Sequence, residues 1–365
     1  MAKCNKYCSD KDPARLNKVG GQAVLEGVMM KAGHHTVTTC RKDDGSLVVT
    51  DSEFHSIRKK YKILNIPILR GVVNMIEMLM LSYKTLGASA DALGLDDDKK
   101  KDGKESPTVT IIMIISMILG IALSIGLFIV LPGLVSDLVA DLAGGISPTW
   151  KAMIEGVSKL FIFMAYLFLV GLVPDIKGTF MYHGAEHKSI ACFESGAELT
   201  PANAKNYTRF HPRCGTSFMF VMILLGIAVG IVVNNVFTDL GRLYLSLIRI
   251  GILPLVVGLG YEFIMFAGKH DNVFTRALSA PGLWIQRLTT KEPTEDMLEV
   301  AIISIKCALR DDFPEFREFY LNREWEPAIE VIGEPVECDE AIDAPAEDTV
   351  MESAPEEENK TDEAI

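Results

Sequence analysis

Four long apolar stretches limit what this chain can fold into more than any other feature. Each approaches or exceeds the roughly 20 residues that an α-helix needs to cross a bilayer. They occupy residues 108–135, 157–173, 217–233 and 243–267. The sequence therefore predicts a mainly α, polytopic helical membrane protein with about four transmembrane helices, and we expect its surroundings to be a lipid bilayer.

The segment 68–87, just before the first apolar stretch, has a different pattern. It carries Arg70, Glu77 and Lys84 among its apolar residues. At helical spacing the apolar residues fall on one face, which comprises Val72, Val73, Ile76, Leu79 and Met80. Because the segment is charged and one-sided, we predict an interfacial or bundle-packed amphipathic helix rather than a fifth span.

The cytoplasmic region before the membrane domain, residues 1–107, is predicted to contain a small β-hairpin. Residues 35–51 alternate apolar and polar side chains around Asp44 and Gly45. This dipeptide suits the positive backbone angles of a tight hairpin turn. The membrane domain is predicted to follow over residues 108–268.

A soluble helix is predicted in the C-terminal cytoplasmic segment, residues 269–325. Its apolar stripe consists of Leu298, Ile302, Ile305 and Leu309. Thr294 is placed to cap its start, and Lys306 and Arg310 lie near its end, where the helix dipole favours positive charge. We expect this amphipathic helix to pack on its neighbours.

The last part of the chain, residues 326–365, differs sharply in composition. It holds 15 acidic residues and one lysine, a net charge of -14, whereas the whole chain has a net charge of -12. Such a segment has too little apolar surface to offset the entropy cost of ordering. We predict a disordered acidic tail.

The seven cysteines are odd in number and scattered along the chain, so they predict no disulfide framework. Cys4 and Cys8 lie close together near the N-terminus. They fit either accessory metal ligands or ordinary free thiols.

Positively charged residues predict the orientation in the membrane. Lysine and arginine are concentrated before the first apolar stretch, between the second and the third, and after the fourth. By the positive-inside rule, both termini and the loop 174–216 are then cytoplasmic, in a multi-pass protein of the cell membrane. We expect no nucleic-acid partner.

The string YHGAEHKSIACFESG, residues 182–196, carries the most specific chemistry in the chain. Pro174 and Gly196 suit the start and the end of a helix. On that helix His183 and His187 share one face with Glu186. Two imidazoles one turn apart can hold a divalent metal ion, most simply zinc, and the carboxylate can serve as a general base. The order H-x-x-E-H occurs in inverted zinc peptidases, although the same residues also suit a polar helix face near lipid headgroups.

The loop RFHPRCGTSF, residues 209–218, supports the interpretation of a metal site. It directly precedes the third apolar stretch and is therefore expected at the same membrane face as the HGAEH helix. Pro212 favours an extended backbone at His211, and Gly215 permits a tight turn. His211 and Cys214 are therefore candidate ligands beside His183 and His187. The alternative is that Cys214 is an ordinary small apolar residue.

Two further carboxylates are candidates for the same site. Glu262 lies inside the fourth apolar stretch, where a charge is costly and usually has a partner. It is predicted either to be a metal ligand or to pair with Arg249, Arg70 or Lys269. Glu26 fits either a contribution to the site or the start of a helix beside a methionine-rich packing face.

Three classes of function fit these patterns. The first is a membrane-embedded, metal-dependent hydrolase in which Glu186 is the catalytic residue. The second is a membrane scaffold or regulator with a structural metal, which a closed ligand set would favour. A transporter, suggested by Arg249 and Glu262 within a span, is disfavoured by the small number of spans and the lack of an internal hydropathy repeat.

Several strings resemble those of the YqhQ-like family of bacterial multi-pass membrane proteins. They are GGQAVLEGVMMKAG, IPILRGVVNMIE, YHGAEHKSI, HPRCGTSF, LVVGLGYEF and APGLWIQRLTTKEP with EVAI. The resemblance covers about residues 15–310 in order and leaves out the acidic tail. Members of this family are commonly described as predicted metal-dependent enzymes, so the resemblance implies a membrane protein with a metal site and leaves the substrate open.

Overall fold

The structure of the protein is a computed structural model. It describes residues 12, 14–16, 18–94, 107–211, 214–238, 240–269, 273–310, 312 and 313. The acidic tail, residues 326–365, and the pair Cys4 and Cys8 lie outside the described residues. The described cysteines are free thiols, namely Cys40, Cys192, Cys214 and Cys307.

A four-stranded antiparallel sheet in the order β1-β2-β3-β4 forms the N-terminal part of the described chain. Its strands are β1 (Val19–Val24), β2 (Gly27–Ala32), β3 (His35–Arg41) and β4 (Leu47–Glu53). The predicted hairpin around Asp44 and Gly45 is confirmed, because β3 pairs with β4 and Gly45 has a φ of 84°. Asp44 Oδ1 accepts a hydrogen bond from the Ser46 backbone N–H at 2.8 Å, which stabilises the turn.

The first hairpin, formed by β1 and β2, has no counterpart among the sequence predictions. Val24 pairs with Gly27, so Leu25 and Glu26 form a two-residue turn in which Glu26 has a φ of 43°. Glycine, asparagine and aspartate usually occupy such positions, and a Leu-Glu turn therefore gives little signal. The hypothesis that Glu26 starts a helix is wrong.

The charged segment before the membrane helices forms a helix, as predicted. A short helix, α1 (Ile57–Lys60), and a 3-10 turn (Lys62–Asn65) lead into α2 (Leu69–Ala92). Helix α2 contacts β1 and β3 with a face that contains the buried residues Leu81 and Thr85. The predicted apolar face points away from the protein, and its exposed members include Ile76, Leu79 and Met80. This one-sided burial agrees with the predicted amphipathic helix.

The remaining helices are α3 (Pro107–Ile125), a π-helical turn (Gly126–Val130), α4 (Leu131–Leu142), α5 (Pro148–Val170), α6 (Pro174–Glu194), α7 (Pro201–Lys205), α8 (Gly215–Val236), α9 (Arg242–Lys269), α10 (Val273–Thr289) and α11 (Glu295–Ala308). Four of the described helical segments are long and apolar enough to cross a membrane, as predicted. They are Ile115–Leu142, Pro148–Val170, Phe218–Val236 and Leu243–Phe266.

The second of these segments starts at Pro148, earlier than the predicted residue 157. Lys151 and Glu155 lower the hydropathy of its first turns, which is why the apolar pattern begins later than the helix. Ser147 caps the helix by accepting a hydrogen bond from the Trp150 backbone N–H, and Pro148 occupies the first turn. Three charged residues, Lys151, Glu155 and Lys159, therefore lie within this helix.

Helix α11 is the centre of the soluble core. Thr294 caps its start, as predicted, by accepting a hydrogen bond from the Met297 backbone N–H at 3.4 Å. The helix packs on β2, β3 and α6, and the Ser304 hydroxyl donates to the Val28 carbonyl oxygen at 2.9 Å. Burial extends beyond the predicted stripe to Val300, Ala301, Ile303, Ser304, Lys306, Cys307 and Ala308. The helix therefore lies between the sheet and α6 and is not a one-sided surface helix.

Candidate metal centre

Helix α6 carries the HGAEH motif and has the predicted limits. Pro174 occupies its first turn, and Gly196, just beyond its end, has a φ of 82°. Proline suits a helix start, and glycine tolerates the left-handed conformation that ends a helix. His183 and His187 lie one turn apart on the same face, with ring centroids separated by 4.4 Å.

The loop before α8 brings Cys214 to these two histidines. Cys214 Sγ lies 3.3 Å from His183 Nε2, and the Thr216 hydroxyl donates to the same sulfur at 3.3 Å. Ligand atoms of His183, His187 and Cys214 all lie within 4.8 Å of one another. Ligands bound at about 2.0 to 2.3 Å around one zinc ion stand roughly 3 to 4 Å apart, so the separations in this group extend somewhat beyond those of a metal-bound site.

Hydrogen bonds orient both imidazoles towards the group. His183 Nδ1 donates to the Thr289 carbonyl oxygen at 2.9 Å, and His187 Nδ1 donates to the Arg209 carbonyl oxygen at 2.5 Å. Because a carbonyl oxygen can only accept, each Nδ1 carries a proton, and in the neutral ring Nε2 then keeps its lone pair. Metal-binding histidines in proteins commonly have this arrangement.

An ion-pair group holds the Arg209 carbonyl in place. Arg209 Nη1 lies 3.0 Å from Glu292 Oε2, and Glu292 also pairs with the buried Lys188 of α6. Lys188 Nζ donates in addition to the Lys205 carbonyl oxygen at 2.9 Å. Partial burial alone would raise the pKa of Glu292, but hydrogen bonds and charges from Lys188 and Arg209 lower it. The acceptor for His187 is thus tied to α6 itself.

His211 lies beside the group, and its imidazole centroid is 5.5 Å from that of His187. The buried Gln286 side chain of α10 clasps its backbone. Gln286 Nε2 donates to the His211 carbonyl oxygen at 2.7 Å, and Gln286 Oε1 accepts from the His211 N–H at 2.8 Å. The structure therefore brings His211 to the site, although its ligand atoms are not among those within 4.8 Å of one another.

Glu186 lies next to the candidate ligands and is buried. Its Oε2 is 4.0 Å from His183 Nε2. Burial raises the pKa of Glu186 to about 7, although the nearby His183 and a hydrogen bond from the Gly21 backbone N–H of β1 both favour its charged form. No bulkier residue than glycine fits at position 21, because a Cβ there would lie 2.7 Å from the Met29 carbonyl oxygen and 3.1 Å from Glu186 Cγ.

A cavity of about 500 Å³ opens over the group. Its walls come from β1, α6 and the start of α8, and include Val19, Gly21, Phe180, Ile190, Thr216 and Met219. His183, Glu186, His187 and Cys214 also border it. The volume falls in the range of about 300 to 1,000 Å³ that is common for small-molecule sites.

Glu262, one of the two additional carboxylate candidates, is engaged elsewhere. Its carboxylate accepts hydrogen bonds from Arg70 Nε at 2.6 Å, from Arg70 Nη2, and from the Ile68 backbone N–H at 3.2 Å. Of the predicted alternatives, the structure shows the pairing with Arg70. Helix α9 approaches α2 closely here, since a Cβ on Gly258 would lie 2.3 Å from Ile68 Cγ2.

Glu26, the other carboxylate candidate, lies in the turn between β1 and β2. Its side chain contacts α6 but lies outside the group of candidate ligands. It accepts a hydrogen bond from Tyr182, and its Oε1 is 3.6 Å from where a Cβ on Gly178 would be. Burial, together with the nearby charges of Asp43 and Asp175, raises the pKa of Glu26. The structure therefore places Glu26 beside the first half of α6 and not among the candidate metal ligands.

Residues after position 285 complete the site and were not among the predicted ones. Gln286, the Thr289 carbonyl and Glu292 all lie more than 80 residues from α6 in the sequence. Gly184 lets this segment approach, because a Cβ there would lie 2.0 Å from the Lys291 carbonyl oxygen. The glycine between His183 and Ala185 was the one sequence signal for such a contact.

Fold and site together define a class of protein. It is a mainly helical chain with four helices able to span a membrane, a small sheet, and a group of two histidines and a cysteine beside a buried carboxylate.

The chain belongs to the family described as "Protein of unknown function (DUF1385)", whose model matches residues 66–311. It is 35% identical over 302 residues to the "Uncharacterized protein YqhQ" of Bacillus subtilis (strain 168), covering 80% of this chain and 92% of that protein. The predicted membership of the YqhQ-like family is confirmed. No solved structure matches the chain.

Proposed function

We propose that this protein is a metal-dependent hydrolase of the membrane, with its site on the helix α6. The observation that carries the proposal is a buried carboxylate, Glu186, beside three candidate ligands that border one cavity. In zinc enzymes three protein ligands leave a position open for water or substrate, whereas structural zinc sites usually have four. His183, His187 and Cys214 are such a set of three.

The residues present fit a divalent metal ion, and zinc above all. Two imidazoles, which can offer Nε2 while Nδ1 is hydrogen-bonded, and a thiol are donors that zinc prefers. Hydrogen bonds from each Nδ1 to a carbonyl oxygen hold both rings in the required tautomer. When bound, such an ion supplies Lewis acidity that makes water a stronger acid.

The chain's own groups then assign the remaining roles. Glu186 Oε2 is placed to accept a proton from water in the cavity and to return it to the leaving group. The Gly21 N–H holds this carboxylate against β1, so the proton acceptor stays fixed. His211 stands next to His187, where its ring can donate to a substrate oxygen.

Metal content is the first test. We expect the full-length protein, purified gently in a mild detergent, to carry about one equivalent of zinc or a similar divalent ion. His187→Ala should lose most of it, because one of three ligands is removed. His55→Ala is the matched control, since this histidine is exposed and outside the group. Elemental analysis measures the metal content of the three proteins. A metal-free wild type, or a His187→Ala variant with as much metal as wild type, would refute the ligand assignment.

The orientation in the membrane belongs to the same proposal, with the site facing the cytoplasm. We expect Ala202→Cys, at an exposed position in α7, to react with a membrane-impermeant maleimide only after cells are permeabilised. Ala143→Cys, in the exposed connection between α4 and α5, should react in intact cells. Mass-resolved labelling of both variants checks this, and the reverse pattern would place the site on the outer face.

A further inference from the structure

A second group of charged residues lies among the membrane helices, towards the other end of the bundle. Arg249 of α9 pairs with Glu155 of α5, and its Nη2 donates to Asn234 Oδ1 of α8 at 2.9 Å. Glu155 is seven residues from the start of α5, and Asn234 is near the end of α8. The metal centre instead follows the end of α5 and precedes α8, so the two groups lie at opposite ends of these helices.

The cations of this group outnumber its carboxylates. Lys159, one turn beyond Glu155 on α5, interacts electrostatically with this carboxylate, but no hydrogen bond or ion pair within 4 Å joins it to a described residue. Arg249 Nε is buried and lacks a hydrogen-bond acceptor within the described chain. One carboxylate thus stands against two cations, a formal charge of +1. A charge at this depth, about 16 Å along the helix from Pro148, is costly unless it meets a counter-ion.

Two cavities meet at these residues. The one nearer the middle of the bundle has a volume of about 330 Å³ and is bordered mostly by aliphatic residues and glycine, together with Lys159. The other, of about 440 Å³, lies at the end of the bundle and has more polar walls, including Ser136, Asp137 and Thr238. Glu155 and Arg249 border both cavities. The charges therefore lie where a polar space passes into an apolar one.

Glycine on α8 keeps the apolar cavity open. A Cβ on Gly226 would have no atom within 4 Å, and the nearest atom to one on Gly230 would be Arg249 Nη2 at 3.9 Å. Both glycines border this cavity. A Cβ at position 226 would therefore meet no neighbour, and a larger side chain there would occupy part of the cavity.

We propose that these joined cavities bind an anionic amphiphile, an acyl chain that ends in a carboxylate or phosphate. The acyl chain occupies the apolar cavity, and the anionic group pairs with the charges of Lys159 and Arg249. Charge complementarity and the change from apolar to polar walls both favour this ligand over a neutral one. Two sources offer this chemistry, free fatty acids and membrane phospholipids such as phosphatidylglycerol.

Binding to the delipidated, full-length protein in a neutral detergent tests the proposal. Native mass spectrometry would be used to titrate palmitate, phosphatidylglycerol, phosphatidylcholine and inorganic phosphate separately. We expect saturable binding of palmitate or phosphatidylglycerol, and the stronger of the two identifies the source. Phosphatidylcholine should bind more weakly because its headgroup has no net charge. Equal binding of both phospholipids, or binding of inorganic phosphate alone, would overturn the proposal.

Variants separate this cavity from lipid held loosely on the protein surface. Lys159→Met should weaken binding of the preferred amphiphile by about 10- to 100-fold, the value of a charge-assisted hydrogen bond, and Lys159→Arg should restore it. Gly226→Leu should block binding by filling the cavity. Gly120→Leu is its matched control, because this membrane-helix glycine also has open space but does not border either cavity.

The glycine pair keeps the test decisive if Lys159→Met does not fold. A Cβ at position 226 meets no atom within 4 Å, as at position 120, so we expect Gly226→Leu to fold like Gly120→Leu in size-exclusion chromatography. Unchanged amphiphile affinity in folded Gly226→Leu would show that the ligand binds elsewhere. Loss of binding in Gly226→Leu together with retention in Gly120→Leu supports the cavity site.

Discussion

Glu186→Gln should lower hydrolytic turnover by about 10²- to 10⁴-fold, the usual contribution of a general base, while the protein keeps its fold and its metal. Glutamine has nearly the same shape and can still accept the hydrogen bond from the Gly21 N–H, but it cannot take a proton from water. The group of His183, His187 and Cys214 does not include Glu186, so metal content should change little.

The measurement pairs elemental analysis with turnover. A panel of chromogenic peptide, ester and phosphoester probes first identifies one that the zinc-loaded wild type hydrolyses, and that probe is then used with each variant. Complementation of a deletion strain provides a second readout that needs no probe. Glu26→Gln is the control, because Glu26 is another carboxylate against α6 with a raised pKa, although it is only partly buried and lies outside the ligand group.

The same variants separate a catalytic metal from a structural one. A structural metal would let Glu186→Gln function normally, whereas His187→Ala would still fail because it loses the ion. A metal-loaded Glu186→Gln protein with normal turnover and normal complementation would end the hydrolase proposal. Comparable losses in Glu26→Gln and Glu186→Gln would show that the effect comes from folding and not from proton transfer.

Local signals explain why α6 and its two histidines could be predicted from sequence. Pro174 and Gly196 mark the ends of the helix, and the spacing of His183 and His187 follows from helical geometry. The approach of Cys214 also followed from sequence, since the end of one membrane helix and the start of the next must lie at the same membrane face. Neither step needed a contact between distant parts of the chain.

Contacts between distant segments could not be predicted in the same way. The acceptors that orient the two histidines are backbone carbonyl groups, which leave no trace in residue identity. Gln286 and Glu292 are common polar residues, and their roles depend on where α10 ends relative to α6. For Glu262 the sequence offered several cationic partners, and only the packing of α2 on α9 selects Arg70.

The sheet shows a further limit of pattern-based prediction. The hairpin of β3 and β4 has a turn with a strong sequence signal, whereas β1 contains two glycines and ends in a Leu-Glu turn. Helix α11 was expected to bury one face and is buried almost all round. Because β1 and β2 were not predicted, no predicted sheet was large enough to cover a second side of α11.

Gly184→Ala should destabilise the protein by about 1 to 3 kcal/mol, the usual cost of overpacking, and should weaken metal binding. The added Cβ would lie 2.0 Å from the Lys291 carbonyl oxygen and 3.4 Å from Pro293 Cδ. Backbone must therefore move, and the displaced segment includes the Thr289 carbonyl that accepts from His183 Nδ1. Disturbing such a supporting hydrogen bond typically costs about 10- to 100-fold in metal affinity.

Gly178→Ala on the same helix is the control for helix propensity. The nearest atom to its added Cβ is Glu26 Oε1 at 3.6 Å, an ordinary contact. Because alanine restricts the unfolded chain, this change should be neutral or should stabilise by about 0.4 to 1 kcal/mol. Thermal unfolding in detergent and competition with a zinc chelator are measured for both variants. The contradicting result would be a Gly184→Ala variant with the same melting temperature and zinc affinity as Gly178→Ala. In that case α6 does not pack against residues 289–293 as closely as the structure shows, and the orientation of His183 must have another cause.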